Sequence, residues 1–261
     1  MTDPEPISPA SGASSSGLPT PASRKLIAPP WHFAVFFVIV GWTFYAGWAA
    51  QHHAAQNPQP LSAIHEHAAV IRSWLIASGA DLLFLFYCWA GVRGNGGSLF
   101  ACIGGRWKNG REFFTDLAIF VPFWIVWELV AYGVYWIIGA GSNVQVFPIF
   151  PNSFSEALAW TFLSLVAGVC EELIFRGYLQ TQFLALTGST IFAVVAQGFV
   201  FGAIHSYQGW RPVLVISLLG ILYGALAAWR RNLRVNIAAH AWTDLFEGWL
   251  KFLMFPGWFP H

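Results

Sequence analysis

Residues 168–180, "GVCEELIFRGYLQ", set Glu171, Glu172 and Arg176 inside an otherwise apolar stretch of chain. If that stretch crosses lipid, each such group costs about 2.5–3.5 kcal/mol to insert, so all three need partners or a task. The rest of the chain decides the environment. Its 261 residues are 56% hydrophobic and 10% charged, with 15 Trp and 24 Phe, whereas a soluble domain carries about 25% charged residues. Apolar runs recur near 31–50, 70–92, 115–139, 155–179, 189–207, 211–229 and 233–255. At 1.5 Å of rise per residue such runs approach the roughly 30 Å of a hydrocarbon core. Only helices and closed barrels satisfy their backbone in lipid, so the expected fold is all-α, a polytopic membrane bundle of about seven transmembrane helices.

Three sections follow from composition. Residues 1–29 are rich in Pro, Ser, Ala and Gly, carry no apolar run and are expected to form a disordered tail. Residues 30–150 hold the N-terminal transmembrane helices, and residues 151–261 hold the helices that carry most of the misplaced polar groups. The first apolar run is expected to stay as an anchor, since no short apolar segment with a small-residue cleavage site precedes or ends it. Cys88, Cys102 and Cys170 are odd in number and widely spaced, so they read as small buried hydrophobes. A net charge of +1 offers no footprint for nucleic acid. With the N-terminus inside, Arg24, Lys25, Arg93, Arg106, Lys108, Arg111, Arg230, Arg231 and Arg234 fall on the cytoplasmic side, against Arg72, Arg211 and Lys251 outside. That asymmetry places the N-terminus in the cytoplasm.

Helix geometry indicates which polar residues can cooperate. Glu172 and Arg176 are four apart and can pair along one face, while Glu171 points about 100° away and lacks that partner. His205 lies four residues beyond Phe201 in "FVFGAIHSYQ", and "NIAAHAWTDLFE" places His240, Asp244 and Glu247 along one stripe. A histidine and a carboxylate on one face can bind a metal, hold a water or orient one another. Glu171 precedes Gly188, and His205 follows it, by 17 residues each, so an antiparallel pair turning at Gly188 brings them to matching depth. His240 follows Arg234 by only six residues, which requires a helix that is broken, tilted or projecting beyond the bilayer. Asp81, Glu128 and Glu156 also fall within apolar runs and have no partner evident from spacing.

Three of these stretches resemble the motifs of one family. "EELIFR" (171–176) is similar to EExxxR, "FGAIH" (201–205) to FxxxH and "HAWTD" (240–244) to HxxxN/D, in that order, of the CPBP intramembrane proteases. That group, named for CAAX proteases and bacteriocin processing and also called Abi, includes the Ras-converting CaaX prenyl endopeptidase. The resemblance covers residues 171–244 and implies a catalytic core in the last four helices. It implies that Glu171 activates the attacking water, that Glu172 and Arg176 support the site, and that His205 helps hold the water. His240 and Asp244 would polarise the scissile carbonyl. The family position at 244 is often Asn, whose amide donates to an oxyanion; an ionised Asp cannot, which favours orientation of His240 or metal binding. The resemblance leaves two versions open: no obligatory cofactor, or a zinc held by Glu171, His205, His240 and Asp244. It implies an endopeptidase of a bacterial inner membrane that meets lipid and a membrane-associated peptide or lipidated protein, prenylated CaaX substrates included. The alternative is a non-enzymatic membrane protein, either a proton-coupled transporter relaying through Glu171, His205 and His240, or an immunity-type scaffold.

Overall fold

The computed structural model describes Leu18 and residues 25–57, 66–139 and 150–254. The tail expected over residues 1–29 lies largely outside them. Seven helices, and no strand, are found among the described residues: α1 (Pro30–Gln56), α2 (His67–Gly94), α3 (Gly110–Ile138), α4 (Phe154–Thr187), α5 (Thr190–Ala203), α6 (Trp210–Arg230) and α7 (Arg234–Met254). The expected all-α bundle is therefore found. Five of the seven, α1 to α4 and α6, are long and apolar enough to cross a membrane. Large apolar side chains face outward from them, among them Trp42 (69% exposed), Leu83 (71%) and Trp136 (78%). A water-soluble monomer does not present apolar surface on this scale, and lipid is the solvent that suits it. The chain is a multi-pass membrane protein.

Local chemistry starts and stops the helices that matter. The Asn109 side chain accepts from the Glu112 backbone at 3.0 Å, while Glu112 Oε2 accepts from the Lys108 backbone at 2.9 Å, a reciprocal cap at the start of α3. Ser153 and Ser189 cap α4 and α5 by accepting from Glu156 N and Phe192 N, each at 3.2 Å. Gly188 ends α4 with φ 70°, the left-handed conformation that a glycine adopts without penalty.

α4 is the axis of the bundle. It packs against α2 and α7, and its C-terminal half meets α5. Its winding changes along its length: residues 154–171 are α-helical, Glu172–Gln180 form a π-helix, and Thr181–Thr187 return to α. All nine residues of the π segment are buried, and π windings concentrate at functional sites. The fourth and fifth apolar runs, expected at 155–179 and 189–207, are in fact a 34-residue helix and a 14-residue one. A 34-residue helix spans about 51 Å, so α4 is longer than the bilayer core is thick, which is one of the arrangements the position of His240 calls for. His205 consequently sits beyond the end of α5, in the turn before a short 3₁₀ segment, Ser206–Gln208.

Close backbone approach sets the helix spacing. A Cβ on Gly168 would lie 2.8 Å from the backbone nitrogen of Ala241, so α4 and α7 touch where the motif residues of both helices follow. α5 and α6 meet through Gly198–Gly202 and Gly220–Gly224, two small-xxx-small pairs, with Gly198 Cα 2.8 Å from where a Cβ on Gly220 would stand. Gly168→Ala should lower the thermal midpoint in detergent, at an overpacking cost of about 1–3 kcal/mol. The same change at Gly133, where nothing lies within 4 Å, should leave it unchanged or raise it slightly, because alanine is the better helix former.

The remaining polar residues have identifiable neighbours. Glu156 is fully buried, accepts from Asn152 N at 2.7 Å and pairs with His67 of α2. Asp116 on α3 accepts from Trp107 Nε1 at 2.8 Å, Arg230 Nη2 at 2.6 Å and Arg234 Nε at 2.9 Å, tying α3 to α6 and α7 at one end. Glu128 lies near Trp124 and Lys251. The three cysteines are free and buried, and burial pushes the Cys102 thiol up to about 12, so it does not supply a thiolate.

Candidate active site

The two adjacent glutamates occupy different environments although both lie on α4. Glu172 is fully buried and saturated. Its Oε1 accepts from Arg176 Nη1 and from His240 Nδ1, each at 2.9 Å, and its Oε2 accepts from Asn236 Nδ2 at 3.1 Å. The π winding, with i→i+5 bonds in place of i→i+4, brings residues four and five apart to one side of the helix. Arg176 therefore reaches Glu172 within the helix. Its Nη2 donates to Gly220 O at 3.2 Å, and its guanidinium lies 4.4 Å from the Phe201 ring centre and 5.2 Å from that of Tyr223. Ion pair, hydrogen bonds and ring faces together offset the cost of placing this charge in an apolar interior.

Glu171 is 9% exposed, and its Oε2 is buried without a hydrogen-bond partner among the described residues. The nearest cationic partner is His240, whose Nε2 stands 3.6 Å from that oxygen. Because Glu172 can only accept, His240 Nδ1 must be the donor, which turns Nε2 towards Glu171. The ring is held by stacking on Tyr223, 5.4 Å between centres at 21°, and by the edge of Phe201, 5.9 Å at 88°. Asp244, one turn further along α7, places Oδ2 3.9 Å from the same Nε2 and is 34% exposed at its side chain. Its backbone carbonyl accepts from Trp160 Nε1 of α4 at 2.7 Å, which fixes this turn of α7.

His205 is held by a different rule. Its Nδ1 donates to Phe201 O at 2.9 Å, so its Nε2 carries the lone pair. It lies within electrostatic reach of His240 and Arg176. The structure thus gathers Glu171, Glu172, Arg176, His240 and Asp244 into direct contact and sets His205 beside them, off the helix on which spacing had placed it. Glu247 lies within electrostatic reach of Lys251, Asp244 and Glu128.

Sequence reasoning passed over Asn236 and Tyr223, and it singled out Asp81 without a partner for it. Asn236 was detectable, because Asn236, His240 and Asp244 recur every four residues on one face of α7. Asn236 Nδ2 also donates to Tyr223 O at 2.8 Å, so it fastens Glu172 to α6. Tyr223 gave no signal, because an apolar helix holds many aromatic residues. Asp81 of α2 lies within electrostatic reach of Glu171, His240 and Asp244, although spacing along the chain gives no hint of it.

Glu171, His205, His240 and Asp244 are chemically suitable zinc ligands, but among the described residues no three His, Cys, Asp or Glu side chains stand close enough to share an ion. His240 Nδ1 is already committed to Glu172. As arranged, the residues do not form a ligand shell.

What the geometry offers is a buried carboxylate with a free lone pair facing an oriented imidazole, which is equipment for accepting a proton from water. Comparison with known proteins points the same way. Residues 153–246 match the family model described as type II CAAX prenyl endopeptidase Rce1-like. The chain is also similar to the uncharacterized protein YpbD of Bacillus subtilis (strain 168), with 27% identity over 151 residues covering 52% of this chain and 76% of YpbD. No solved structure matches. The matched segment contains all of Glu171, Glu172, Arg176, His205, His240 and Asp244, so every residue of the site lies in the part of the chain that is similar to Rce1-like proteins of the CPBP protease family.

Proposed function

We propose that the chain is an intramembrane endopeptidase that hydrolyses a peptide bond of a membrane-associated peptide or protein, with Glu171 as the base that activates water. One observation carries this reading: Glu171 Oε2 is buried and unpartnered 3.6 Å from His240 Nε2, while the other face of that imidazole is locked to Glu172. A water seated there gives one proton to Glu171 and is held through its other hydrogen by the lone pair of His205 Nε2. The hydroxide oxygen bonds to the scissile carbonyl carbon, and the carbonyl π electrons move to oxygen. His240, doubly protonated beside Glu172 and Asp244, donates from Nε2 to that oxyanion, which is the role electrostatic preorganisation requires. The intermediate collapses, the C–N bond breaks, and the proton on Glu171 passes to the departing amine. Asp244 stabilises the imidazolium and does not donate. Tyr223 and Phe201 fix the plane of the ring, and Arg176 keeps Glu172 ionised.

The same reading places the protein in a bacterial-type cytoplasmic membrane with the N-terminus inside. It is supported by the gathering of Arg230, Arg234, Trp107 and Asp116 at one end of the bundle, where Leu18 N also donates to Arg231 O at 3.0 Å. Prenylated CaaX peptides are one candidate substrate and unmodified membrane peptides are another. The deciding experiment is cleavage of a peptide library, farnesylated CaaX peptides included, by purified protein in lipid nanodiscs with and without chelator, read by mass spectrometry. Cleavage that survives the chelator is expected. Cleavage abolished by chelator and restored by zinc would replace the glutamate mechanism with a metal-dependent one. Proton flux in liposomes without any cleavage would favour the transporter.

A further inference from the structure

Glu172 is held unevenly. Arg176 and His240 both donate to its Oε1, each at 2.9 Å. The arginine does not grip the second oxygen: its Nη2 goes to Gly220 O, and its Nε has no hydrogen-bond partner among the described residues. Two donors on one oxygen leave the carboxylate free to swing about that oxygen, and with it the lone pair that His240 Nδ1 meets. Among the described residues the one contact to Oε2 comes from Asn236 Nδ2, at 3.1 Å.

The same amide reaches a second helix. Asn236 is fully buried, one turn before His240 on α7, and its Nδ2 also donates to Tyr223 O of α6 at 2.8 Å. Both protons of Nδ2 are thereby used, while Oδ1 has no partner among the described residues. The reversed amide would set Oδ1 against a carboxylate and a carbonyl, so the network allows one orientation only. Tyr223 carries the ring on which His240 stacks, 5.4 Å between centres at 21°. One side chain thus touches both of the groups that define the imidazole: the acceptor that meets its Nδ1 and the residue whose ring sets its plane. An apolar residue of the same shape would fill this space without a buried, unanswered oxygen, so the donors are what the position uses.

We propose that Asn236 is a positioning residue for the hydrolysis, which keeps His240 in register with Glu171 by tying Glu172 and Tyr223 together. The inference rests on the protease reading above. With Asn236 in place, His240 Nε2 stays 3.6 Å from Glu171 Oε2. Without it, Glu172 Oε2 is left buried and unanswered, the carboxylate turns towards another donor, and the imidazole follows its acceptor. Glu171 itself makes no contact with Asn236, so the loss falls on the step in which His240 faces the oxyanion and not on substrate binding.

The test uses Asn236→Leu, which keeps the volume and removes the donors, with Asn236→Ala as a second variant should leucine not fit. The full chain, carrying isotope-labelled histidine, is placed in nanodiscs and its ring N–H protons are followed by NMR. The His240 Nδ1 proton is assigned by its absence in His240→Gln. His205 Nδ1–H, bonded to Phe201 O, and His32 Nε2–H, bonded to Tyr87 O, are internal controls. In both variants the His240 proton should exchange with water and disappear while the two controls persist. Turnover should fall by about 10- to 100-fold in kcat with KM little changed, the loss expected when a catalytic group moves by about 1 Å. Joint loss of all three signals overturns the proposal and makes Asn236 a residue of the fold alone. Selective loss of the His240 signal with kcat unchanged also overturns it. Cleavage by wild type, with the His240 signal intact in the variants, sinks the positioning role and keeps the protease. Selective loss of that signal, with no peptide of the library cleaved by wild type, sinks the protease reading and keeps the hold of Asn236 on His240.

Discussion

Glu171→Gln is expected to reduce peptide cleavage by about 10²- to 10⁴-fold in kcat, the range that a positioned general base supplies, with KM little changed. The amide has the shape of the carboxylate but no lone pair basic enough to take a proton from water. Because Glu171 makes no hydrogen bond with its Oε2 in the resting structure, the substitution removes no existing contact there, and folding should survive. Thermal midpoint and gel-filtration profile serve as controls. Glu171→Asp is the informative companion: it keeps the base but draws it back from His240, so activity should fall and not vanish. Full activity in Glu171→Gln would dismiss Glu171 as the base and would turn attention to Asp244, the other carboxylate near His240 Nε2.

Arg176→Ala should damage the protein in a different way. Arg176 and Glu172 are both fully buried, and their side chains meet at 2.9 Å with 0% exposure. Removing one member of such a pair leaves a charge with no answer, which costs about 3–5 kcal/mol. That is a large share of the roughly 5–15 kcal/mol by which folded domains are stable, so little folded protein should be recovered. Arg176→Lys keeps a charge but loses the forked geometry that reaches both Glu172 and Gly220 O, and should be intermediate. The double change Glu172→Gln with Arg176→Met removes both charges and should recover much of the stability. It should not recover cleavage, because His240 Nδ1 would then face a neutral amide. Measuring thermal unfolding and turnover on the four proteins separates the structural duty of the pair from its service to His240. A double variant as unstable as Arg176→Ala would show that the pair does more than cancel charge.

The helices and the motif residues were legible because they obey simple periodicities. Apolar length sufficed for α1, α2, α3, α4 and α6, and four-residue spacing sufficed for the Glu172–Arg176 and His240–Asp244 relations. Boundaries failed where no polar residue marked them. α5 ends at Ala203 although "FGAIH" reads as continuing helix, since an isolated apolar sequence does not reveal where the chain turns to meet α6. The π winding of residues 172–180 was equally hidden, because it depends on packing on every side, and a single strand of sequence carries no record of that. Asp81 was seen as an anomaly but could not be placed: its relation to the site is made by the packing of α2 on α4, between residues about ninety positions apart in the chain. Asn236 needed only that the stripe of α7 be followed one turn towards its start.

The turn that carries His205 is fastened from outside the matched segment. Ser206 Oγ donates to Phe44 O of α1 at 2.8 Å, Gln51 of α1 bonds the Tyr207 carbonyl, and a Cβ on Gly47 would strike Ser206. The boundary that similarity draws at residue 153 is therefore not a boundary of inheritance for the working part. A lineage that exchanged its first helix for another of equal length and greasiness would keep every motif letter and still misplace one histidine. Drift in α1 can retune this site without a single change in the segment by which relatives are recognised, and chimeras joined at that point should be built with α1 carried along.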